Sequence, residues 1–187
     1  MYGNPETQLS GKQELFEEIN NIYDYMTRNK GWHYNQFGLR SLGLRGFSRL
    51  HEMEAEQDLC SMIKLKKILE DRFNWRPTID KDEYGKYDTN KVGSMQEFKS
   101  SFDVWKTNEE ELVKCIVKAY GLASKEDVCL YKELICLADE VQDEIFRIDQ
   151  IKSRLDLGQW NGHDLARVSK DIHKHLEEHK NLDFSLS

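Results

Sequence analysis

Apolar residues recur three and four positions apart along most of this 187-residue chain, which is the spacing of amphipathic helices. In one such stretch the apolar positions include Leu134, Ala138, Val141 and Ile148. Residues 74–94, in contrast, are polar, rich in turn-forming residues and without an apolar stripe. The pattern predicts five helices, at residues 10–37, 42–73, 95–121, 124–157 and 164–178.

The polar stretch 74–94 is long for a loop inside a compact domain. It is long enough to run the length of a helical bundle, so it would connect two parallel helices instead of an antiparallel pair. The other connections are short. We therefore predict an all-α fold in a single domain, residues 1–187, in which a four-helix bundle has one long crossover between helices 2 and 3 and a short fifth C-terminal helix.

Charge and composition narrow the classes of partner. The formal net charge of −7 disfavours a dedicated nucleic-acid binder, because phosphate contacts need clustered Lys and Arg, and it suits cations instead. No apolar run approaches the about 20 residues of a membrane span, and the N-terminus lacks a signal-peptide pattern, so no membrane association is expected. The four cysteines form no CxxC pair, which favours a reducing, cytoplasmic location.

The second predicted helix has an acidic middle. On a helical heptad, one seam reads Leu44, Phe47, His51, Glu54, Asp58, Ser61, Leu65 and Ile68. The two ends of this seam are apolar, whereas its middle turns carry imidazole and carboxylate groups that ligate metals. Either this helix brings a metal site into the core, or its buried face is a different one.

Two segments resemble ferritins and bacterioferritins. Residues 32–58, WHYNQFGLRSLGLRGFSRLHEMEAEQD, are similar to the segment of the family that contains the end of the first helix, the following turn and the second helix. The family's fourth helix is similar to residues 137–155, LADEVQDEIFRIDQIKSRL. The likeness extends over residues 10–157. It implies a five-helix ferritin-like subunit, usually part of a hollow cage that oxidises and stores iron, and hence a homo-oligomer.

The family's ligand positions are only partly kept. A di-iron site takes a Glu from each of two helices and a Glu-x-x-His or similar pair from the others. The pair on the second helix falls on Asp58 and Ser61, and the positions on the third and fourth helices fall on Trp105 and Val141. On the first helix Asp24 is the carboxylate nearest the family's position. The resemblance therefore implies an iron-binding or iron-storing subunit with a degenerate or absent di-iron centre and little or no ferroxidase activity of its own.

Bundle geometry allows a displaced metal site. His33 and His51 would lie at the same height on neighbouring helices, and Glu54 follows His51 by one helical turn. Because helices 2 and 3 would be parallel, Glu109 would lie beside Glu54. With Asp58, these side chains would form a shell for iron, manganese or zinc.

A competing frame buries another face of the second helix. Its apolar positions are Leu44, Phe47, Leu50, Ala55, Leu59, Met62, Leu65 or Lys66, and Leu69. This frame turns Glu52, Glu54 and Glu56 towards solvent or a cage lumen. There they would form, with Asp58, a surface cluster that collects iron.

Three functions follow from these alternatives. The first is an iron-binding or iron-storing ferritin-family subunit. The second is a ferritin-like structural or interaction protein that has lost its metal site. The third is a metal-dependent oxidase that uses the displaced His/Glu shell. A DNA-protecting mini-ferritin is a fourth, weaker match, because the spacing between Trp32–His33 and Leu50–His51–Glu52 is too long.

Overall fold

The structure is a computed structural model, and it describes residues 5–78, 92, 94–180 and 182. Five α-helices account for most of these residues, and none of the described residues is in a strand. The helices are α1 (Pro5–Asn35), α2 (Arg45–Phe73), α3 (Met95–Ala123), α4 (Val128–Leu157) and α5 (Gly162–His179). The predicted all-α class is confirmed.

The start of α2 is set by the turn that precedes it. A 3₁₀ helix, Gln36–Arg40, follows α1 directly. Gly43 then has φ of 79°, in the left-handed region that favours glycine, and Leu44 has a non-helical ψ of 56°. For this reason α2 begins at Arg45 and not at residue 42.

The start of α4 is set by a side-chain cap. The carboxylate of Asp127 accepts hydrogen bonds from the backbone N–H groups of Cys129 and Leu130, both at 2.9 Å. These are donors that the first turn of a helix leaves without a partner. The helix therefore begins at Val128, and Ser124, the predicted start, is instead the residue after α3.

Two apolar cores lie at opposite ends of the bundle. The first core contains Leu15, Ile19, Ile22, Tyr23, Met26, Met62, Leu65, Leu69, Leu112, Ile116, Ala119, Ala123, Leu130, Leu134, Leu137, Ala138 and Val141. The second core contains Leu39, Leu44, Phe47, Leu50, Val92, Phe98, Phe102, Trp105, Ile148, Ile151, Leu155, Leu165, Val168, Ile172, Leu176 and Leu182. Between these cores lie the two buried histidines and most of the buried charged side chains.

The order of residues in the two cores gives the direction of each helix. Helices α1 and α4 run from the first core to the second, whereas α2 and α3 run from the second to the first. The connection from α2 to α3 begins beside the first core, where Trp75 stacks on Phe16, and Val92 near its end is buried in the second core. The two described ends of this connection therefore lie at opposite ends of the bundle, which confirms the predicted crossover between parallel helices.

Helix α5 packs against the first turns of α2 at a very close crossing. A Cβ atom on Gly46 would lie 1.8 Å from the carbonyl oxygen of Ser169, and the backbone N–H of Gly46 donates to the Ser169 hydroxyl at 3.0 Å. Only glycine permits this approach.

None of the described helices is long and apolar enough to cross a membrane.

Replacing Gly46 by Ala is expected to lower the free energy of unfolding by about 2 kcal/mol or more, because the new methyl group collides with backbone atoms of α5. Urea unfolding followed by circular dichroism measures this change. The control is Gly121→Ala in α3, where the added Cβ would meet no atom within 4 Å. There the higher helix propensity of alanine should add up to about 1 kcal/mol. Equal effects of the two substitutions would contradict the close crossing.

Candidate metal centre

A layer of buried polar side chains separates the two apolar cores. Every helix of the four-helix bundle contributes to this polar layer. Its members are Asn29, His33, His51, Glu54, Asp58, Glu109, Glu144 and Arg147. All except Asp58, which is half-buried, are almost completely shielded from solvent. Because buried charge is costly unless it is paired, the contacts within the layer decide what it can do.

Helical spacing points these side chains to the same side. Asn29 and His33 are four residues apart on α1, and Glu144 and Arg147 are three apart on α4. Residues at these separations share one face of a helix. The same spacing on α2 aligns the seam from His51 through Glu54 to Asp58.

The two imidazoles contact each other. His33 Nδ1 lies 2.9 Å from His51 Nδ1, so one ring donates and the other accepts. Burial lowers the pKa of His51 to about 3, and burial together with repulsion from His51 lowers the pKa of His33 well below its ordinary value. Both rings are therefore neutral near pH 7, and a neutral imidazole nitrogen can ligate a metal.

The second nitrogen of His33 is directed at α4. His33 Nε2 lies 3.6 Å from Glu144 Oε1, and the same carboxylate oxygen accepts a hydrogen bond from the indole N–H of Trp105 at 2.6 Å. His51 thus holds one side of the His33 ring while Trp105 holds the carboxylate in front of it. A hydrogen bond to the far nitrogen is the usual way in which proteins orient a histidine ligand.

The other carboxylates have incomplete sets of partners. Glu109 Oε1 accepts from Asn29 Nδ2 at 2.8 Å, but Glu109 Oε2 is buried and has no hydrogen-bond partner within the described structure. Asp58 Oδ2 is also buried without a partner there. Glu54 is the exception, because its Oε1 accepts from Arg147 Nη2 at 3.0 Å and from Arg147 Nε at 3.3 Å.

The polar layer has more negative than positive groups. Burial, followed by mutual repulsion, raises the pKa of Asp58, Glu109 and Glu144 well above the ordinary range. Burial also raises the pKa of Glu54, against the attraction of Arg147. With one guanidinium among these carboxyls and neutral imidazoles, the layer needs protons or a cation to approach neutrality.

Three of these groups converge on one point. Ligand atoms of His33, Glu109 and Glu144 all lie within 4.8 Å of one another. One imidazole and two carboxylates are a donor set that suits iron(II), manganese(II) or zinc(II). The unpartnered Glu109 Oε2 is an acceptor that a cation would satisfy. The residues present therefore fit a single divalent ion.

They fit a pair of metal ions poorly. Where a two-metal bundle site has Glu-x-x-His, α4 has Glu144-x-x-Arg147, and α2 has the reverse order, His51-x-x-Glu54. A guanidinium cannot ligate a metal, and it already binds Glu54. Arg147 therefore offers no metal ligand, and Glu54 is already paired with it.

The residues of the predicted displaced shell lie together. His33, His51, Glu54, Asp58 and Glu109 all belong to the polar layer. Their contacts differ, since Glu54 binds Arg147 and His51 contacts the other imidazole. Their role as metal ligands stays a prediction.

The predicted surface cluster on α2 does not form. Glu54, at 2% exposure, is inside the bundle, whereas Leu59, which the competing frame placed in the core, is 40% exposed. Glu56 is exposed, and Glu52 is half-buried and binds Arg49 at 2.7 Å. The reason is that α2 is covered on two sides, by the bundle helices and by α5, so neither predicted frame describes its whole buried surface.

Sequence reasoning did not find Glu144 and Arg147. The available signal was their position on the buried side of α4, because Glu144 is three residues after Val141 and four before Ile148. Ile145, the apolar residue next to Glu144, fits the same apolar periodicity but is only half-buried. A carboxylate and a guanidinium inside an apolar stripe are a sign of a buried polar site.

Comparison with solved structures identifies the architecture. A novel open-pore ferritin from the hyperthermophilic archaeon Archaeoglobus fulgidus matches with a TM-score of 0.61, over 92% of this chain and 98% of that chain. The chain has a ferritin-like fold. The two sequences are 17% identical, so the likeness concerns the fold of this ferritin-like bundle and not its chemistry. No family model matches the sequence, and no curated protein is significantly similar to it.

Glu109→Gln is expected to stabilise the metal-free protein at pH 7 while removing a ligand. The folded-state pKa of Glu109 is raised, so the wild type loses stability as the pH rises from the unfolded value of about 4.3 through the folded value. The amide keeps an acceptor for Asn29 and carries no charge. A gain of about 1–2 kcal/mol, or roughly 2–8 °C in the melting temperature, is expected in chelator-treated protein.

The control is Glu110→Gln on the exposed side of α3, which should change stability by less than about 0.5 kcal/mol. The difference between Glu109→Gln and wild type should shrink near pH 4, where the buried carboxyl is protonated. A destabilised Glu109→Gln protein at pH 7 would show that the carboxylate is stabilising and that the layer is not short of positive charge.

Proposed function

We propose that this chain is a ferritin-like protein that binds one divalent metal ion, with iron(II) as the favoured ion, at His33, Glu109 and Glu144. The observation that carries the proposal is the convergence of these three groups within 4.8 Å, with Glu109 Oε2 left unpartnered in the described structure. The excess of buried carboxylates supports it, because a divalent cation offsets charge that the protein itself leaves uncompensated.

The proposed centre is degenerate in one specific way. Arg147 takes the place of the histidine in a Glu-x-x-His pair and binds Glu54 through two nitrogens. A guanidinium supplies a permanent positive charge where a second ion would otherwise sit. The site would then hold one exchangeable metal ion beside the permanently charged guanidinium of Arg147.

The side chains around the ion have separate tasks. His33 and the two carboxylates would hold the metal, His51 would fix the orientation of His33, and Trp105 would hold Glu144 in place. A bound iron(II) ion with open coordination positions would supply redox chemistry with oxygen. Since that chemistry in two-metal sites uses both ions, we propose binding and storage of iron with little or no ferroxidase activity of the two-metal kind.

We further propose that the protein is cytoplasmic and self-associates, as the first hypothesis from the sequence requires. Large apolar side chains are exposed on the outer faces of the bundle, among them Ile63 at 59% on α2 and Phe146 at 64% on α4. Burial of such side chains between subunits would be favourable. Light scattering coupled to size-exclusion chromatography measures the mass; a monomer at micromolar concentration would contradict this part of the proposal.

Metal counting tests the centre directly. Protein loaded with iron(II) without oxygen, or with cobalt(II), and then desalted should contain one ion per chain. His33→Ala should lower the affinity by about 100-fold or more, because the loss of a hydrogen-bond partner of a ligand alone costs about 10–100-fold. Asp143→Asn, which removes an exposed carboxylate from α4, is the control and should leave the count at one. A wild-type protein that retains no ion would favour the alternative function, a metal-free structural or interaction protein.

Arg147→His tests why only one ion is bound. The substitution removes the fixed charge, frees Glu54 from its ion pair and completes a Glu-x-x-His pair on α4. Two ions per chain are expected in place of one, measured by metal analysis and by cobalt(II) titration. The matched control is Arg147→Gln, which removes the charge but adds no imidazole, and should not gain the second ion. If Arg147→His still binds one ion, Arg147 does not determine the count.

A further inference from the structure

A narrow cleft between α2 and α4 leads to the polar layer. It is lined by Glu54, Gln57, Asp58, Ser61, Leu137, Glu140, Val141 and Glu144. Gln57, Asp58 and Glu140 are partly exposed, whereas Glu54 and Glu144 are buried in the layer. The cleft thus has an outer end near solvent and an inner end at a proposed metal ligand.

The two helices that form the cleft are loosely apposed. Helices α2 and α4 approach each other closely over a shorter stretch than α3 and α4 or α1 and α2 do. The free volume within the cleft is about 10 Å³, close to the minimum for a single water molecule. A fully hydrated divalent ion does not fit, so passage requires a small separation of the helices and the exchange of water for protein oxygens.

One hydrogen bond spans the outer end. Ser61 Oγ on α2 donates to Glu140 Oε2 on α4 at 2.9 Å. Both residues are at the partly exposed end of the cleft or next to it. Breaking this bond frees a carboxylate and allows the helices to separate there.

The carboxylates form a series from the outer end inwards. Glu140 lies at the outer end, Asp58 comes next with Oδ2 buried and unpartnered in the described structure, and Glu144 follows in the layer. Asp58 interacts electrostatically with both Glu140 and Glu54, and with Lys30 on α1. Oxygen ligands at successive depths are what a divalent cation needs while it loses its water.

We propose that divalent cations reach the buried centre through this α2–α4 cleft, with Glu140 as the first protein ligand and Asp58 as the second. Glu140 alternates between its bond to Ser61 and the incoming ion, and Asp58 passes the ion to Glu144. This inference rests on the proposed metal centre, but it makes a separate claim, which concerns the rate of loading and not the number of ions bound.

Stopped-flow mixing of the metal-free full-length protein with cobalt(II), followed by the visible absorption of the bound ion, tests the route. Glu140→Gln keeps an acceptor for Ser61 but loses the charge. It should slow association about threefold to tenfold at low ionic strength, since local charge governs the capture of an oppositely charged ligand. The ion count at saturation should stay at one. Ser61→Ala removes the hydrogen bond across the cleft. It should speed both association and dissociation of the ion and change the dissociation constant less than twofold.

Asp143→Asn is the matched control, because it removes the same charge from the same helix at an exposed position outside the cleft. Its association rate should stay within twofold of wild type. Equal slowing by Glu140→Gln and Asp143→Asn, or no slowing by either, would overturn the route while leaving the metal centre intact. A wild type that binds no cobalt(II) at all would overturn the centre and the route together.

Discussion

The cost of burying carboxylates in the middle of the bundle constrains the rest of this structure. Burial raises the pKa of Glu54, Asp58, Glu109 and Glu144 there, and Arg147 in the layer, with Lys30 near Asp58, offsets only part of the charge. Apolar cores on both sides exclude the water that would otherwise solvate these groups. The layer therefore approaches neutrality only with protons or a cation bound, and this is why we propose that it binds a metal ion.

The arrangement of partners makes the centre asymmetric. On one side, His51, His33, Glu144 and Trp105 form a connected series of polar contacts that leaves His33 Nε2 facing a carboxylate. On the other side, Arg147 binds Glu54 and takes it out of the set of free ligands. A symmetric two-metal site would need both sides to be open. The fold is that of a ferritin-like bundle, whereas the donor set suits one ion.

The fold was predictable because helix periodicity and connection length are local properties. The five helices and the crossover at residues 74–94 follow from spacing that can be counted along the chain. The site was predictable in part. Counting residues from the turn between α1 and α2 placed His33 beside His51, and the parallel direction of α2 and α3 placed Glu109 at the same level. Glu144 was missed because it interrupts an apolar stripe, and a carboxylate at such a position has no local reason to be there.

By itself, the sequence determined which residues are helical, which way successive helices run and which polar groups share a helix face, because these depend on residues a few positions apart. Tertiary structure alone decided that Glu54 is buried and Leu59 exposed, since that depends on which face of α2 the other bundle helices cover. It also decided that Arg147 binds Glu54, a pair 93 residues apart in the chain. Burial and pairing are properties of the assembled helices, and their free energies arise only when separate faces meet.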